Sequence, residues 1–290
     1  MAQVFGEVPG YPVGSVFGSR GELVTAEVHR PPMGGISGNG RDGADSIVVS
    51  GGYIDDVDYG DVILYTGHGG RDARTRRQIA DQDLTDSGNA GLVRSQLDGL
   101  PVRVIRGRGG DPDHSPLSGF RYDGLFRVDD HWSTTGQEGF RIWQFRLVRL
   151  DPAATDGPPP TPPASGPVPR VPTTVQRQVR NSAVIDQVKR WHQHRCQVCQ
   201  QLLEVAAGPY AEGAHIRGLG RPHLGPDVAE NVLCLCPNDH VRFDNGAIYL
   251  QDDLTIVDAL TGAQRGRLRL HRKHRIDLTH VRYHRQTHGG

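Results

Sequence analysis

Cys196-Gln-Val-Cys199, Ala214-His215-Ile216 and Asn231-Val-Leu-Cys-Leu-Cys236-Pro-Asn-Asp-His240 carry the reading that organises this chain. The first is a CxxC knuckle. In the last, Asp239 follows Cys236 at the spacing where a second CxxC would close. A tetrahedral Zn2+ site takes four N, S or O ligands. Cys196, Cys199 and Cys236 supply three of them; Asp239 stands as the fourth, with His240 as its competitor. All four cysteines of the chain fall between positions 196 and 236. A disulfide framework would spread them over both halves, so this clustering favours a metal. Cys234 alternates with Cys236 along a short β-type run and is expected to face the other way, into a core.

Around this motif the chain reads as an α+β protein in two parts. Val179, Val184, Ile185, Val188 and Trp191 recur at helical spacing over residues 175–194. After the knuckle come two short strands and a final helix beginning near Asn238, followed by a tail, 265–288, dense in Arg and His. Before it, residues 151–172 read DPAATDGPPPTPPASGPVPRVP and hold nine of the 20 prolines. That composition favours an extended spacer without a core of its own. The boundaries are therefore 1–150, a Pro-rich linker over 151–174, and 175–290.

Residues 1–150 carry short β-type runs separated by glycine turns. Examples are 46–50, 62–65, 101–105, 124–128 and 139–148. The last alternates apolar and polar residues as a half-buried strand does. Residues 89–97 suit a short helix. The expectation is a curved sheet or β-barrel with flanking helices.

The net charge of zero conceals an asymmetry. Residues 170–290 hold 17 Lys and Arg against 11 Asp and Glu, and residues before them 16 against 22. Ten of the 14 histidines are also in the C-terminal part. A basic, His-rich domain suits a local contact with a polyanion, while zero overall charge argues against a protein that coats DNA. No apolar run approaches the ~20 residues of a membrane span. The N-terminus lacks a basic-then-apolar signal pattern, so the expected location is the cytoplasm.

The His215, Asn231, His240 order embedded in zinc knuckles resembles the HNH endonuclease family with its ββα-metal core, over about residues 185–250. The phrase GAHIRGLGRPHLGPDVAENVLCLCPNDHVRFDNGAI carries the likeness. The resemblance implies that His215 is the general base, oriented partly by a backbone carbonyl. Asn231 would fix that base or its loop. His240 would bind the catalytic divalent cation, Mg2+ or Mn2+, from the start of a helix. Many members have Asp just before the base; here Ala214 takes that place, so the cation must draw on other groups such as Asn238, Asp244 or Asn245, or on water. His223 reads as a surface-loop histidine.

In the N-terminal part, SIVVSGGYIDDVD (46–58), LYTGHGGRD (64–72) and RYDG (121–124), with His29-Arg30-Pro31 and Gly34-Gly-Ile-Ser-Gly38, resemble the SRA or YDG domain. That family reads modified cytosine by flipping it out of the duplex. The resemblance implies Tyr53 and Tyr65 as the stacking pair. Asp56 would accept from the exocyclic amine, and Thr66 would lie beside the ring's polar edge. The loops over 31–42 and 72–83 would replace the extruded base, and Arg30, Arg74, Arg76 and Arg77 would contact DNA. Together the two resemblances imply a bacterial modification-dependent endonuclease acting on double-stranded DNA that carries 5-methylcytosine or 5-hydroxymethylcytosine. It would carry structural zinc and work as a homodimer. The alternative is a modified-DNA reader with an inactive, zinc-stabilised appendage.

Overall fold

A computed structural model describes residues 3–72, 74–150, 182–206, 208–220 and 222–288. The spacer over 151–174 and the start of the helix expected from 175 lie outside the described residues. The chain divides into two compact units, Met1–Thr174 and Val175–Gly290.

The first unit is built on one eight-stranded sheet. Its elements in chain order are β1 (Val16–Phe17), α1 (Arg20–Thr25), β2 (Ile36–Asn39), β3 (Gly43–Val49), β4 (Val57–Asp58), β5 (Val62–Thr66), α2 (Ser87–Asp98), β6 (Val102–Gly107), β7 (Phe120–Thr135) and β8 (Arg141–Arg149). The strand order is β2-β3-β6-β7-β8-β5-β4, with β1 on β7. Among the described residues only β3 and β6 pair in parallel. Register shifts interrupt β2–β3, β6–β7 and β7–β8, and such bulges bend a sheet and raise its twist.

The unbroken apolar run in β3 has a simple cause. Ile47 and Val49 face one core, with Leu92 of α2, Val104, Phe126 and Phe145. Val48 faces a second core on the other side, with Leu23 of α1, Val28, Ile105 and Tyr122. A strand covered on both faces has no polar side to alternate with. Arg103, buried on the α1 side, donates to the carbonyls of Val4, Gly6 and Val28 and so fixes the N-terminal segment. Arg106 is also buried. It binds Asp58 through two bonds of 2.6 and 2.7 Å and Asp123 at 2.9 Å.

The second unit begins with α3 (Ser182–Trp191), then β9 (Leu203–Val205), β10 (Gly208–Tyr210), β11 (Glu212–His215), a 3-10 turn (Ala229–Asn231), β12 (Val232–Leu235) and α4 (Pro237–Asp244). Antiparallel β11 and β12 pair Ala214 with Leu233 and His215 with Val232. Pro237 opens α4 in its first turn, where the missing N–H costs nothing. Cys234 packs with Val188, Ala211 and Val232 under α3, whereas Cys236 lies in the other core with Ala214, Ile216 and Phe243.

The helix near Asn238 is not the final one. β13 (Ile248–Leu250), β14 (Thr255–Asp258) and β15 (Gln264–Arg267) form a three-stranded sheet, and α5 (Leu278–Thr287) follows. The Arg- and His-rich tail is thus folded. Leu268 and Val281 enter the same core as Phe243. His284 stacks on Phe243 at 3.8 Å and bonds to its carbonyl at 3.0 Å. Burial pushes its pKa down to about 4, so the ring packs as a neutral aromatic.

Candidate functional site

The cysteine cluster forms where the knuckle after α3 meets the start of α4. One ligand atom each from Cys196, Cys199, Cys236 and Asp239 lies within 4.8 Å of all the others. Cys199 Sγ and Cys236 Sγ are 3.7 Å apart; Asp239 Oδ2 is 3.2 Å from Cys196 Sγ and 3.4 Å from Cys236 Sγ. Tetrahedral zinc with bonds of about 2.3 Å to sulfur would space two sulfurs about 3.8 Å apart, so the cluster fits that ion. Burial pushes the Cys196 thiol well up and that of Cys199 to about 11. Thiolates in such a place need a cation. Burial opposes the charge on Asp239, but hydrogen bonds from the three thiols hold its carboxyl below the usual range. His240, the competing ligand, is absent from the cluster.

His240 projects from α4 toward β11. Its Nδ1 lies 2.7 Å from Glu212 Oε2 and its Nε2 3.2 Å from Asp244 Oδ2. Burial lowers the pKa, but the two carboxylates more than reverse this and bring it up to about 9. The surroundings therefore favour positive charge, as a divalent-cation site must. Asn245 Oδ1 is enclosed and meets no hydrogen-bond donor, while its amide donates to the Val241 carbonyl. Ala214 is fully buried in the core. Glu212, two residues earlier on the same strand, brings the carboxylate to His240.

His215 ends β11 with its side chain 8% exposed and its Nε2 2.9 Å from Asp227 Oδ1. A carboxylate only accepts, so Nε2 carries the hydrogen. A side chain, Asp227, thus orients the ring at Nε2. Asn231 is fully buried and clamps the intervening loop. It donates to the carbonyls of Arg217 and Pro226, both at 2.9 Å, and accepts from the Arg217 amide at 2.8 Å. That loop carries Asp227. His223 is not a surface residue: it is 6% exposed and meets the Tyr283 hydroxyl at 2.8 Å.

In the first unit, β5 and the turn before β4 bring the expected base-binding residues together. Asp56 Oδ1 accepts from the Thr66 amide at 2.7 Å, and the Asp56 amide bonds to the Tyr53 carbonyl at 3.3 Å. Burial raises the Asp56 pKa to about 6, against hydrogen bonds to its carboxyl from Thr66 and the Tyr53 backbone. Burial also raises both tyrosines, and the Asp56 charge adds to each rise. Arg71 lies over the Tyr53 ring at 5.0 Å. Gly35 makes room for Tyr65: a Cβ there would come within 2.6 Å of the hydroxyl.

The four arginines expected to touch DNA differ. Arg30 is bound to buried Asp45 at 2.9 Å, and Arg77 to Glu138 at 2.8 Å. Arg74 and Arg76 are exposed in the loop after Asp72. Sequence reasoning missed Glu212 and Asp227. Each is an ordinary acidic residue outside any spaced motif, and only its place relative to Ala214 or His215 in the fold gives it meaning.

Residues 4–152 match the SAD/SRA domain family and residues 196–251 the HNH endonuclease family. Among solved structures, a modification-dependent TagI restriction endonuclease is 54% identical, with 97% of this chain and 94% of that one covered and a TM-score of 0.51. The E3 ubiquitin-protein ligase UHRF1 of Bos taurus is 39% identical over 167 residues, covering 51% of this chain and 21% of its own. The histone-lysine N-methyltransferase family member SUVH9 of Arabidopsis thaliana is 43% identical over 162 residues, covering 53% and 24%. The chain thus spans about a fifth to a quarter of the length of these two relatives. Among the described residues no helix is long and apolar enough to cross a membrane.

Proposed function

The chain belongs to the SAD/SRA domain family and joins that domain to an HNH endonuclease domain; on that premise we propose that it is a modification-dependent DNA endonuclease. The first unit grips a cytosine modified at C5, methyl or hydroxymethyl, flipped from the duplex. Tyr53 and Tyr65 stack on the ring. Asp56, with Oδ1 taken by the Thr66 amide, offers Oδ2 to the exocyclic amine. Thymine, with an acceptor at that position, is rejected by the same carboxylate. Flipping costs a few kcal/mol, which stacking and hydrogen bonding offset. Arg74 and Arg76 meet the phosphates.

The second unit hydrolyses a nearby phosphodiester bond. Asp227 holds the His215 ring through Nε2 and leaves Nδ1 to take the proton of the attacking water. Asn231 keeps the Asp227 loop in place. His240, Glu212 and Asp244, with Asn245 at hand, would hold a divalent cation, Mg2+ or Mn2+. When bound, it would stabilise charge on the phosphate and leaving oxygen. The Cys196, Cys199, Cys236, Asp239 cluster would hold structural zinc. One such centre cuts one strand, so a double-strand break requires a homodimer. In a bacterial cytoplasm such an enzyme would attack modified foreign DNA.

The observation that carries this reading is that one chain holds both constellations: the Tyr53–Asp56–Tyr65 cluster, and in the second unit the His215–Asp227 pair with His240 and its two carboxylates. Incubation of modified and unmodified plasmid with Mg2+ or Mn2+ tests it. Cutting confined to the modified plasmid is expected, and equal cutting of both would overturn it. Burial of Ala214 favours a second reading, a reader with an inactive appendage; no cutting under either metal, with modified-DNA binding intact, would establish that one.

A further inference from the structure

On the second unit, a depression of about 290 Å3 is lined by Trp191, His192, Arg195, Arg269 and His271. The Trp191 and His271 rings lie within 12° of parallel, with centroids 6.3 Å apart. His192 Nε2 is 2.7 Å from His274 Nδ1, and His274 Nε2 is 3.0 Å from the Ala229 carbonyl. A carbonyl accepts only, so His274 carries its hydrogen on Nε2 and receives one from His192. This chain fixes both rings. Burial pushes His192 down to about 4 and lowers His274 as well, so the pair is neutral at pH 7.

The positive charge comes from the arginines. Arg195 and Arg269 are exposed, as are Arg272 and Lys273 beside them. Among the described residues none of these four side chains forms an ion pair, and no acid lines the depression. Several other arginines of this unit are matched: Arg265 with Asp258, and Arg282 and Arg285 with Asp252. A half-buried indole beside unmatched guanidinium groups is a stacking platform in a positive groove, the pair of features that binds unpaired nucleotides. The volume is at the low end of small-ligand pockets and too small for a duplex.

We propose that this depression is a second DNA contact, distinct from the hydrolytic centre, that takes one nucleotide out of the duplex stack. The base lies against Trp191 and His271, and the phosphates meet Arg195 and Arg269. Its natural occupant is the loosened end of a cut strand. The proposal rests on the endonuclease reading.

Tryptophan fluorescence with no added divalent cation tests it, using single-stranded octathymidylate as the probe. Trp132 and Trp143 are 4% and 5% exposed, so quenching reports on Trp191. The oligonucleotide is expected to quench saturably. Arg195→Ala with Arg269→Ala, both surface changes, should lower the slope of log K against log salt by about 0.7 per lost contact. Trp191→Phe should remove the signal, and a gel-shift assay should show affinity largely retained, because phenylalanine still stacks. Trp191→Leu should weaken binding about fivefold to a hundredfold. The proposal is overturned if quenching is absent, if a blunt duplex or polyglutamate quenches equally, or if the double variant binds like the wild type. Plasmid cutting is read separately. Quenching without cutting would sink the endonuclease reading alone, and cutting without quenching would sink this inference alone.

Discussion

In the first unit, Arg106 is buried with Asp58 and Asp123 inside a sheet of eight strands, and the described part of that unit contains no cysteine. In the second, no sheet exceeds three strands among the described residues, and three cysteines with Asp239 gather between the knuckle and α4. Long strands bury enough apolar surface on both faces to hold a fold and to carry an internal ion network. The second unit's strands are shorter, and a metal held at its cysteine cluster would add folding free energy there. The same contrast separates the functions proposed for them. The larger frame presents aromatic and carboxylate groups of fixed shape. The frame with the cysteine cluster presents ionisable groups that would surround a cation.

That comparison breaks most visibly at the metal. Structural zinc contributes about 10–16 kcal/mol to small zinc-finger folds. A strong chelator, or Cys199→Ser, should therefore unfold the second unit and leave the first intact. Hydrogen exchange would show protection lost in β11, β12 and α4 while β3 and β6 keep theirs. Loss in both units together would refute the independence of the two frames.

The next largest effect separates cutting from reading. His215→Ala removes the proposed base and should lower the cleavage rate by about 10^2–10^4-fold, the usual worth of general-base catalysis. Binding to modified duplex, measured by fluorescence anisotropy, should be unchanged. A matching loss of affinity would mean that the first unit does not read alone.

These two effects depend on parts of the molecule that the sequence exposes unequally. The strands of the first unit were legible because β8 alternates and β3 ends in the apolar run Ile47–Val49. The cysteine cluster was legible because its ligands lie at fixed short spacings. The tail was not. Its Arg and His density suggests a solvated segment, yet His280 and His284 are buried and His284 replaces an apolar residue in the stack on Phe243. Composition scores histidine as polar, whereas a buried neutral imidazole packs like a small aromatic ring. Glu212 and Asp227 were hidden for another reason. Each gains its role from a contact across the fold, with His240 28 positions away and with His215 across a loop whose path Asn231 sets.

A smaller effect sharpens the comparison from the other side. Asp56→Ala should cost about 1–3 kcal/mol of affinity for modified duplex, the loss expected when a buried hydrogen-bond partner is removed. Cutting should lose its dependence on the mark in the same variant. Preference that survives Asp56→Ala would remove the carboxylate from the account.

The smallest effect is one of pH. Burial raises Asp56 to about 6, so its carboxylate is ionised, and able to accept from the amine, above that value. As pH falls through 6 the group takes up a proton, and affinity for modified cytosine should decline. The wild type should show this decline between about pH 7 and 5, and Asp56→Asn, which cannot titrate, should not. An identical decline in both would place the titrating group elsewhere.

The division of labour is tested most directly by mapping cleavage on otherwise identical duplexes that carry a single cytosine, 5-methylcytosine or 5-hydroxymethylcytosine. The account predicts cuts near the modified base in the second and third duplexes and none in the first. Cuts of equal yield and position in all three would contradict it.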